Sequence, residues 1–311
     1  MSDPRPVDAA APRPAGVPRV AVVAALLVLV LAVGAVIFPR SDTRRPQGRL
    51  LAFVGGEPGG ARREMIQDLG AYLAEQGGHP LEVVTVRDRE RFLALAAAGA
   101  DFALCPDGLA LGLEDSSYAS LAAGRRKMPS NLWPRGVLVY RRSAAPLDKP
   151  WTEAPARTVF GDSLSLSALG GVEVSADLRA CAFGPDPYDH GPVLHALRLG
   201  AFDYALVRQW DAEAFFTAGL LDAELYELEM MTDPVPDMVL MVHRKASVVQ
   251  RMAWAEALSL LGTGERPVTE AGRELAHSLS VLGLAGFDIL LELDFDRLRG
   301  RFGDCWPPAT P

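Results

Sequence analysis

Three alternating serines lie where a predicted strand is followed by a predicted helix. Ser163, Ser165 and Ser167 come directly after the short apolar run that ends at Phe160. Serine hydroxyls and the free backbone N–H groups of a helix N-terminus both donate hydrogen bonds to an anion. The same pattern also fits plain N-capping, in which one serine satisfies the first helical turn. The segment is therefore either an anion-binding loop or a helix cap, and taken alone it fits the cap better.

Residues 184–192 form a second polar segment between a predicted strand and a predicted helix. Its His190 can donate a hydrogen bond to an oxyanion, and Tyr188 can close over the bound group. A turn with a capping aspartate is the alternative interpretation, and on local evidence it fits the segment better. Asp203 stands near the start of a later apolar strand and repeats the glycine, aspartate and apolar run of residues 99–104. This repeat indicates a duplicated architecture more than a catalytic carboxylate.

Several function classes are disfavoured by what the sequence lacks. It contains no G-x-S-x-G, H-E-x-x-H, Walker or G-x-G-x-x-G motif. A formal net charge of -8 argues against a nucleic-acid binder. Cys105, Cys181 and Cys305 are far apart, so a structural zinc site is not expected. One disulfide with one cysteine left over is possible, but three buried or free thiols are favoured. We expect a binding protein without enzymatic activity, cofactor or metal.

The elements that would position the polar segments alternate between strands and helices. Apolar runs at 50–54, 81–86 and 101–105, separated by helical patterns, predict a β-α-β-α-β unit with a parallel sheet. A second series begins near residue 156. The predicted lobes are about 49–140 with 243–302, and about 156–236. Strands near residues 137 and 238 would connect them, and a ligand would lie in the cleft at the carboxyl ends of the strands.

The N-terminal part of the sequence predicts a membrane anchor. Residues 1–19 are predicted to be disordered. Residues 20–38 contain no charged side chain and are long enough to span a ~30 Å hydrocarbon core. Residues 39–48 form a linker to the solute-binding domain at 49–311. An uncleaved anchor is favoured over a signal peptide because the apolar run continues to residue 38. Arginines on both sides mildly favour a cytoplasmic C-terminal domain.

In order and spacing, these segments resemble the phosphate/phosphite/phosphonate-binding family of ABC-transporter solute-binding proteins, over residues of about 49–302. The matching segments are 99–104, 160–168, 189–203, 232–236 and 286–299. The resemblance implies an α/β, two-lobed type 2 periplasmic-binding-protein fold with a ligand cleft between the lobes. Here the N-terminal transmembrane helix would precede that fold.

The resemblance also implies roles for the polar residues. Ser163, Ser165 and Ser167 would hold the oxygens of the ligand, with backbone N–H groups of the loop. His190 would donate from the facing loop, with Tyr188 beside it. Asp203 would orient His190 or accept from a protonated ligand oxygen.

Three departures limit what transfers from this family. Leu166 and Ala168 replace the family's threonine and closing glycine, and Asp107 lies where a tyrosine is frequent. Fold and binding role therefore transfer better than the identity of the ligand.

The implied function is capture of a small oxyanion, such as phosphate, phosphite or phosphonate, for an ABC permease. The implied location is a single-pass cell-membrane protein with its soluble domain on the extracytoplasmic (periplasmic) side, which overrides the arginine distribution. The alternative is a membrane-anchored sensor or interaction module that reuses the fold. Neither alternative involves nucleic acid.

Overall fold

The described strands of this protein form two sheets. The computed structural model describes residues 48–54, 59–114, 116–127, 133–144, 146–148, 150–161, 188–232, 234, 236–261 and 269–290. Within them, one sheet has six strands and the other four. Each sheet packs an apolar cluster on either side. This arrangement matches two α/β layers, each with its own core.

The first sheet begins with a parallel unit. Its elements are β1 (Gly48–Phe53), α1 (Gly60–Gly77), β2 (Leu81–Val86), α2 (Arg89–Ala97) and β3 (Phe102–Cys105). Strand β1 pairs in parallel with both β2 and β3. The predicted parallel β-α-β-α-β succession is thus confirmed.

The other half of this sheet is antiparallel. It comprises α3 (Asp107–Glu114), β4 (Tyr118–Arg126), β9 (Asp237–His243), α7 (Val248–Leu260), α8 (Glu270–Val281) and β10 (Leu284–Ile289). Strand β9 lies between β3 and β4, and the full order is β10-β4-β9-β3-β1-β2. Strands β4 and β10 were not predicted. Alanine, serine and glycine make up most of β4, and β10 is a short segment with a glycine near its centre, so neither gives a clear strand period.

The second sheet has the order β6-β7-β5-β8. Its elements are β5 (Gly136–Arg141), α4 (Pro150–Glu153), a 3-10 turn (Pro155–Arg157), β6 (Thr158–Phe160), α5 (Gly191–Arg198), β7 (Tyr204–Arg208), α6 (Gln209–Thr217) and β8 (Tyr226–Met230). Strand β5 runs antiparallel to β7 and β8, and β6 runs parallel to β7.

The two connections between the sheets fall earlier than the sequence suggested. Strand β5 belongs to the second sheet, although residues up to about 140 were assigned to the first lobe. Strand β9 belongs to the first sheet, although the second segment of the first lobe was predicted to begin near residue 243. The chain therefore changes sheets between β4 and β5 and again between β8 and β9. A short apolar run indicates a buried strand but not which sheet it joins.

The predicted anchor at residues 20–38 lies outside the described residues. In the described ranges, the helices are too short or too polar to traverse a bilayer.

Candidate anion-binding cleft

A cavity of about 40 Å³ lies between residues of the two sheets. That volume holds a few water-sized groups. The first sheet and its helices supply Arg62, Gly124, Arg126, Met238, Leu282 and Leu284. The segment from before α5 to the start of α6 supplies Tyr188, Arg208 and Trp210. Three of these lining residues are arginines, which makes the cavity a candidate site for an anion.

Arg208 is held by a carboxylate next to the cavity. It is the last residue of β7, and α6 begins one residue later. Its Nε donates to Asp211 Oδ2 at 2.9 Å, and the arginine is only 6% exposed. Burial, the largest single influence, raises the pKa of the Asp211 carboxyl, but nearby positive charges, Arg208 first among them, lower it below its ordinary value. The Asp211 carboxylate therefore stays ionised and fixes the guanidinium.

His190 supports the same strand end. Its side chain is completely buried, and Nδ1 accepts the backbone N–H of Arg208 at 2.9 Å. A backbone N–H can only donate, so Nδ1 is an acceptor and the ring proton of the neutral tautomer sits on Nε2. Asp211 Oδ2 lies 4.0 Å from the same Nδ1. His190 thus connects the start of α5 to the end of β7.

The His190 ring also meets the start of the predicted anion loop. Gly161 follows β6, and its N–H donates to Leu206 O at 2.8 Å. A Cβ at position 161 would lie 2.5 Å from Cγ of His190, so only glycine fits without a shift of the ring. The two polar segments that the sequence singled out therefore come together at Gly161 and His190.

Two arginines of the first sheet's half lie over aromatic rings from the other half. The Arg62 guanidinium is 5.2 Å from the centre of the Tyr188 ring. The Arg126 guanidinium is 4.8 Å from the centre of the Trp210 ring. Both distances are in the range of cation–π attraction. These two contacts join the walls of the cavity.

The predicted ligand-binding residues have different outcomes. Tyr188 lines the cavity. His190 is not among the lining residues, but it accepts a hydrogen bond from the backbone of Arg208, which does line the cavity. Ser163, Ser165 and Ser167 lie outside the described residues, so their role stays a prediction.

The placement of Asp203 differs from its predicted role as the partner of His190. It precedes β7 and forms an ion pair with Arg157, whereas His190 contacts the opposite end of that strand. Residues 203 and 208 are five positions apart in an extended segment, or about 16 Å. The carboxylate near His190 is Asp211 instead.

The sequence analysis did not single out Arg62, Arg126 or Arg208, and it treated Trp210 as packing. One signal was available: Arg208 and Asp211 follow an apolar strand directly, at the strand end where α/β sheets bind ligands. Arg62 and Arg126 carry no comparable signal, because their positions acquire meaning only when the two sheets face each other.

Two residues next to β3 are buried: Asp107, which differs from the family pattern, and Cys105. Asp107 opens α3 and is 6% exposed. Cys105 is a free and fully buried thiol, and its pKa is raised by burial and then by the charge of Asp107. Such a thiol is unreactive at neutral pH. Cys181 and Cys305 lie outside the described residues.

Together, the two sheets and the cleft between them have the α/β fold of periplasmic binding proteins. XAC2383 from Xanthomonas citri, solved bound to chloride ion, matches with a TM-score of 0.59 and 16% identity, over 82% of this chain and 95% of that chain. PhnD1 from Prochlorococcus marinus, solved in complex with methylphosphonate, matches with a TM-score of 0.57 and 11% identity, over 81% and 96%.

A third structure is the binding protein component of an ABC phosphonate transporter, PA3383 from Pseudomonas aeruginosa. It matches with a TM-score of 0.52 and 15% identity, over 83% of this chain and 90% of that chain. No family model and no curated protein sequence matches the chain. At these identities the likeness establishes the fold.

Proposed function

We propose that this chain is the substrate-binding component of an ABC transporter and captures a small oxyanion in the cleft without chemical change. The observation that carries the proposal is the convergence of Arg62, Arg126 and Arg208 on one small cavity between the sheets. Guanidinium groups bind the oxygens of phosphate-like anions through paired, charge-assisted hydrogen bonds. Phosphate, phosphite and phosphonates are the ligands proposed.

Capture would proceed by closure of the lobes. Arg208 is fixed on one wall by Asp211, whereas Arg62 and Arg126 belong to the other wall. An anion that contacts both walls binds the closed state better than the open state and shifts the population towards it. The serine loop that begins after Gly161 would add hydroxyl and backbone donors, as proposed from the sequence.

The solved structures support this choice of ligand class only by analogy. PhnD1 was solved with methylphosphonate, and PA3383 is named as a component of a phosphonate transporter. These proteins share the fold of this chain, but fold alone does not specify a ligand. The arginines that line the cavity are the feature of this chain that supports anion binding.

Ligand binding can be tested by thermal unfolding of the full-length chain in lipid nanodiscs, with phosphate, phosphite and methylphosphonate added in turn. A ligand at a hundredfold excess over its Kd adds about 2.7 kcal/mol to the free energy of unfolding. Arg62→Gln removes one charged donor and should weaken binding at least tenfold, given about 1.5–3 kcal/mol per charged hydrogen bond.

Arg142→Gln is the matched control for that substitution. Arg142 is an exposed arginine of the second sheet's half and pairs with Glu227 on the surface. Its replacement should leave the affinity unchanged. Failure of all three anions to stabilise the parent chain would contradict the proposed ligand class.

We also propose that residues 20–38 anchor the chain and that the domain after them lies outside the cytoplasm. The support is the uncharged apolar run and the family resemblance, and the distribution of arginines opposes it. A C-terminal alkaline-phosphatase fusion should be active, and a green fluorescent protein fusion exported by the Sec route should be dark. The reverse pattern would reject this topology.

The transport role predicts a permease partner. Cells that lack this chain should lose high-affinity uptake of the anion that the chain binds. Normal uptake, combined with a lost transcriptional response to the same anion, would favour the sensor alternative.

A further inference from the structure

Three large apolar side chains are exposed side by side at the start of α7. Val248, Val249 and Met252 are 60%, 77% and 67% exposed. Helical spacing of three and four residues places both valines next to Met252. Contiguous apolar side chains on a surface often mark a site that binds a partner or a membrane. We propose that these three residues, the α7 patch, dock on a lipid surface that contains anionic headgroups.

The first turn of α7 is ordered by its own cap. The Ser247 hydroxyl accepts the backbone N–H of Gln250 at 3.2 Å, and the Gln250 side chain accepts the backbone N–H of Ser247 at 3.0 Å. This reciprocal capping box satisfies polar groups at the helix start. On the inner face of the same helix, Trp254 and Leu258 are buried. The α7 patch therefore lies on a fixed helical turn and is not needed for the core.

Basic side chains flank the α7 patch. Arg244 and Lys245 lie in the turn between β9 and α7, and both are exposed. The Arg244 side chain donates to Tyr118 O at 2.7 Å and to Glu114 O at 3.2 Å. These backbone carbonyls carry no net charge, so they orient the guanidinium without neutralising it. Cations beside exposed apolar side chains are the combination that binds membranes with anionic lipids.

Acidic groups near the α7 patch set its limits. Glu256 is exposed and lies one turn beyond Met252 on the same face of the helix. An anionic surface would repel it, so the lipid contact is limited to the first turns of α7 and the basic turn before them. Asp101 is also near this turn, but its Oδ2 accepts the backbone N–H of Arg49 at 2.7 Å.

The α7 patch lies at the end of the first sheet where β1 begins. Asp101 joins the two places, because its carboxylate binds the N–H of Arg49, next to Gly48, and its carbonyl accepts the N–H of His243 at 2.8 Å. The linker predicted at residues 39–48 spans at most about 35 Å. This inference rests on the proposed anchor, because the anchor and that short linker would keep this end of the sheet near a bilayer.

The α7 patch is separate from the cleft. Met238 lines the cavity near one end of β9, whereas the α7 patch follows the other end of that strand. The extended segment from Met238 to His243 covers about 16 Å. Substitutions in the α7 patch should therefore leave the affinity for the anion unchanged, and an anion can be captured while the domain is docked.

The inference is tested by hydroxyl-radical footprinting of the full-length chain in nanodiscs that hold one chain each. One set contains phosphatidylcholine alone, and the other contains phosphatidylglycerol as well. Oxidation of Met252 should be at least fivefold slower with phosphatidylglycerol, because each basic side chain near an anionic surface favours docking about fivefold. Met230, an exposed methionine of β8, is the internal control and should be oxidised at the same rate in both sets.

Two variants test the residues that carry the inference. Val249→Asp should abolish the protection of Met252, because a carboxylate replaces an apolar contact with the lipid. It should not unfold α7, since the helix dipole favours a negative charge in the first turn. Lys245→Gln should weaken docking about fivefold. Leu225→Asp, at an exposed leucine before β8, is the matched control and should keep the protection.

The outcomes separate this inference from the proposed function. Equal oxidation of Met252 in both sets of nanodiscs, or protection that survives Val249→Asp, overturns lipid docking and leaves the anchor and anion capture standing. Protection that appears only when several chains share one membrane overturns it in favour of a second copy of the chain. A chain that the nanodiscs do not retain overturns the proposed anchor and this inference with it.

Discussion

The two walls of the cleft hold their arginines in different ways. Arg208 is 6% exposed, donates to the partly buried Asp211 and has its own backbone N–H bound by His190. Arg62 and Arg126 lie over aromatic rings that come from the opposite wall. One guanidinium is therefore positioned by its own half of the structure, and the other two are positioned by contacts across the cleft.

This difference bears on how the site can work. A donor that is fixed before the ligand arrives loses little conformational entropy when the ligand binds. Donors that complete their contacts only when both walls meet link binding to closure of the lobes. We call the wall that carries Arg208 the fixed wall and the wall that carries Arg62 and Arg126 the bridging wall. The fixed wall should govern the stability of the fold, and the bridging wall should govern the response to ligand.

The largest expected effect is on the fixed wall. Asp211→Ala leaves the Arg208 guanidinium buried without its carboxylate, and breaking a buried pair in this way typically costs about 3–5 kcal/mol. The free energy of unfolding, measured by urea denaturation, should fall by about that amount. Glu213→Ala, on the exposed side of the same helix, is the control and should cost less than about 1 kcal/mol. Equal losses in both variants would mean that Asp211 does not fix this wall.

Gly161→Ala should have the next largest effect. The added Cβ would lie 2.5 Å from Cγ of His190, and the buried ring has little space in which to move. Overpacking of this kind costs about 1–3 kcal/mol. Urea denaturation measures the loss. Gly219→Ala does not serve as a control because of its positive φ, whereas Gly60→Ala does, since a Cβ there meets nothing within 4 Å.

The sequence predicted the first half of the fold better than the site. The β1-α1-β2-α2-β3 unit follows from short apolar runs that alternate with helical periods, and both signals are local. His190 and Tyr188 were singled out because they lie between a strand and a helix; Tyr188 lines the cavity, and the binding role of both stays a prediction. Arg62 and Arg126 were missed because they are far apart along the chain and meet the second half only through tertiary packing.

The position of Asp203 gives a related lesson. Its neighbourhood in the sequence suggested a partner for His190, yet a strand separates the two side chains and Asp203 pairs with Arg157. Asp211 is only eight residues further along but lies beyond the carboxyl end of β7. Which end of a strand a residue occupies decides its neighbours, and residue type alone does not reveal it.

The pH dependence of stability should report on the fixed wall as well. The pKa of Asp211 in the folded chain is lowered from its ordinary value of 3.8. Its contribution is therefore complete above that value and is lost as the pH falls through the folded pKa. The difference in the free energy of unfolding between the parent and Asp211→Asn should be constant near neutral pH and narrow below about pH 4. A difference that persists unchanged to about pH 2 would show that ionisation of Asp211 is not its source.

The smallest expected effect concerns the bridging wall. A double-mutant cycle with Arg126→Met and Trp210→Leu should give a coupling energy of about 0.5–1 kcal/mol, rising towards about 2 kcal/mol when a ligand desolvates the contact. The matched control is Arg141 over Tyr226, at 5.4 Å, because both residues belong to the second sheet. Its coupling should be the same with and without ligand, since closure of the lobes does not alter it. Thermal unfolding of both sets of variants, with and without methylphosphonate, measures the two coupling energies. If the Arg126–Trp210 coupling is as insensitive to ligand as the control, the contact is a fixed part of the fold and both walls are positioned in the same way.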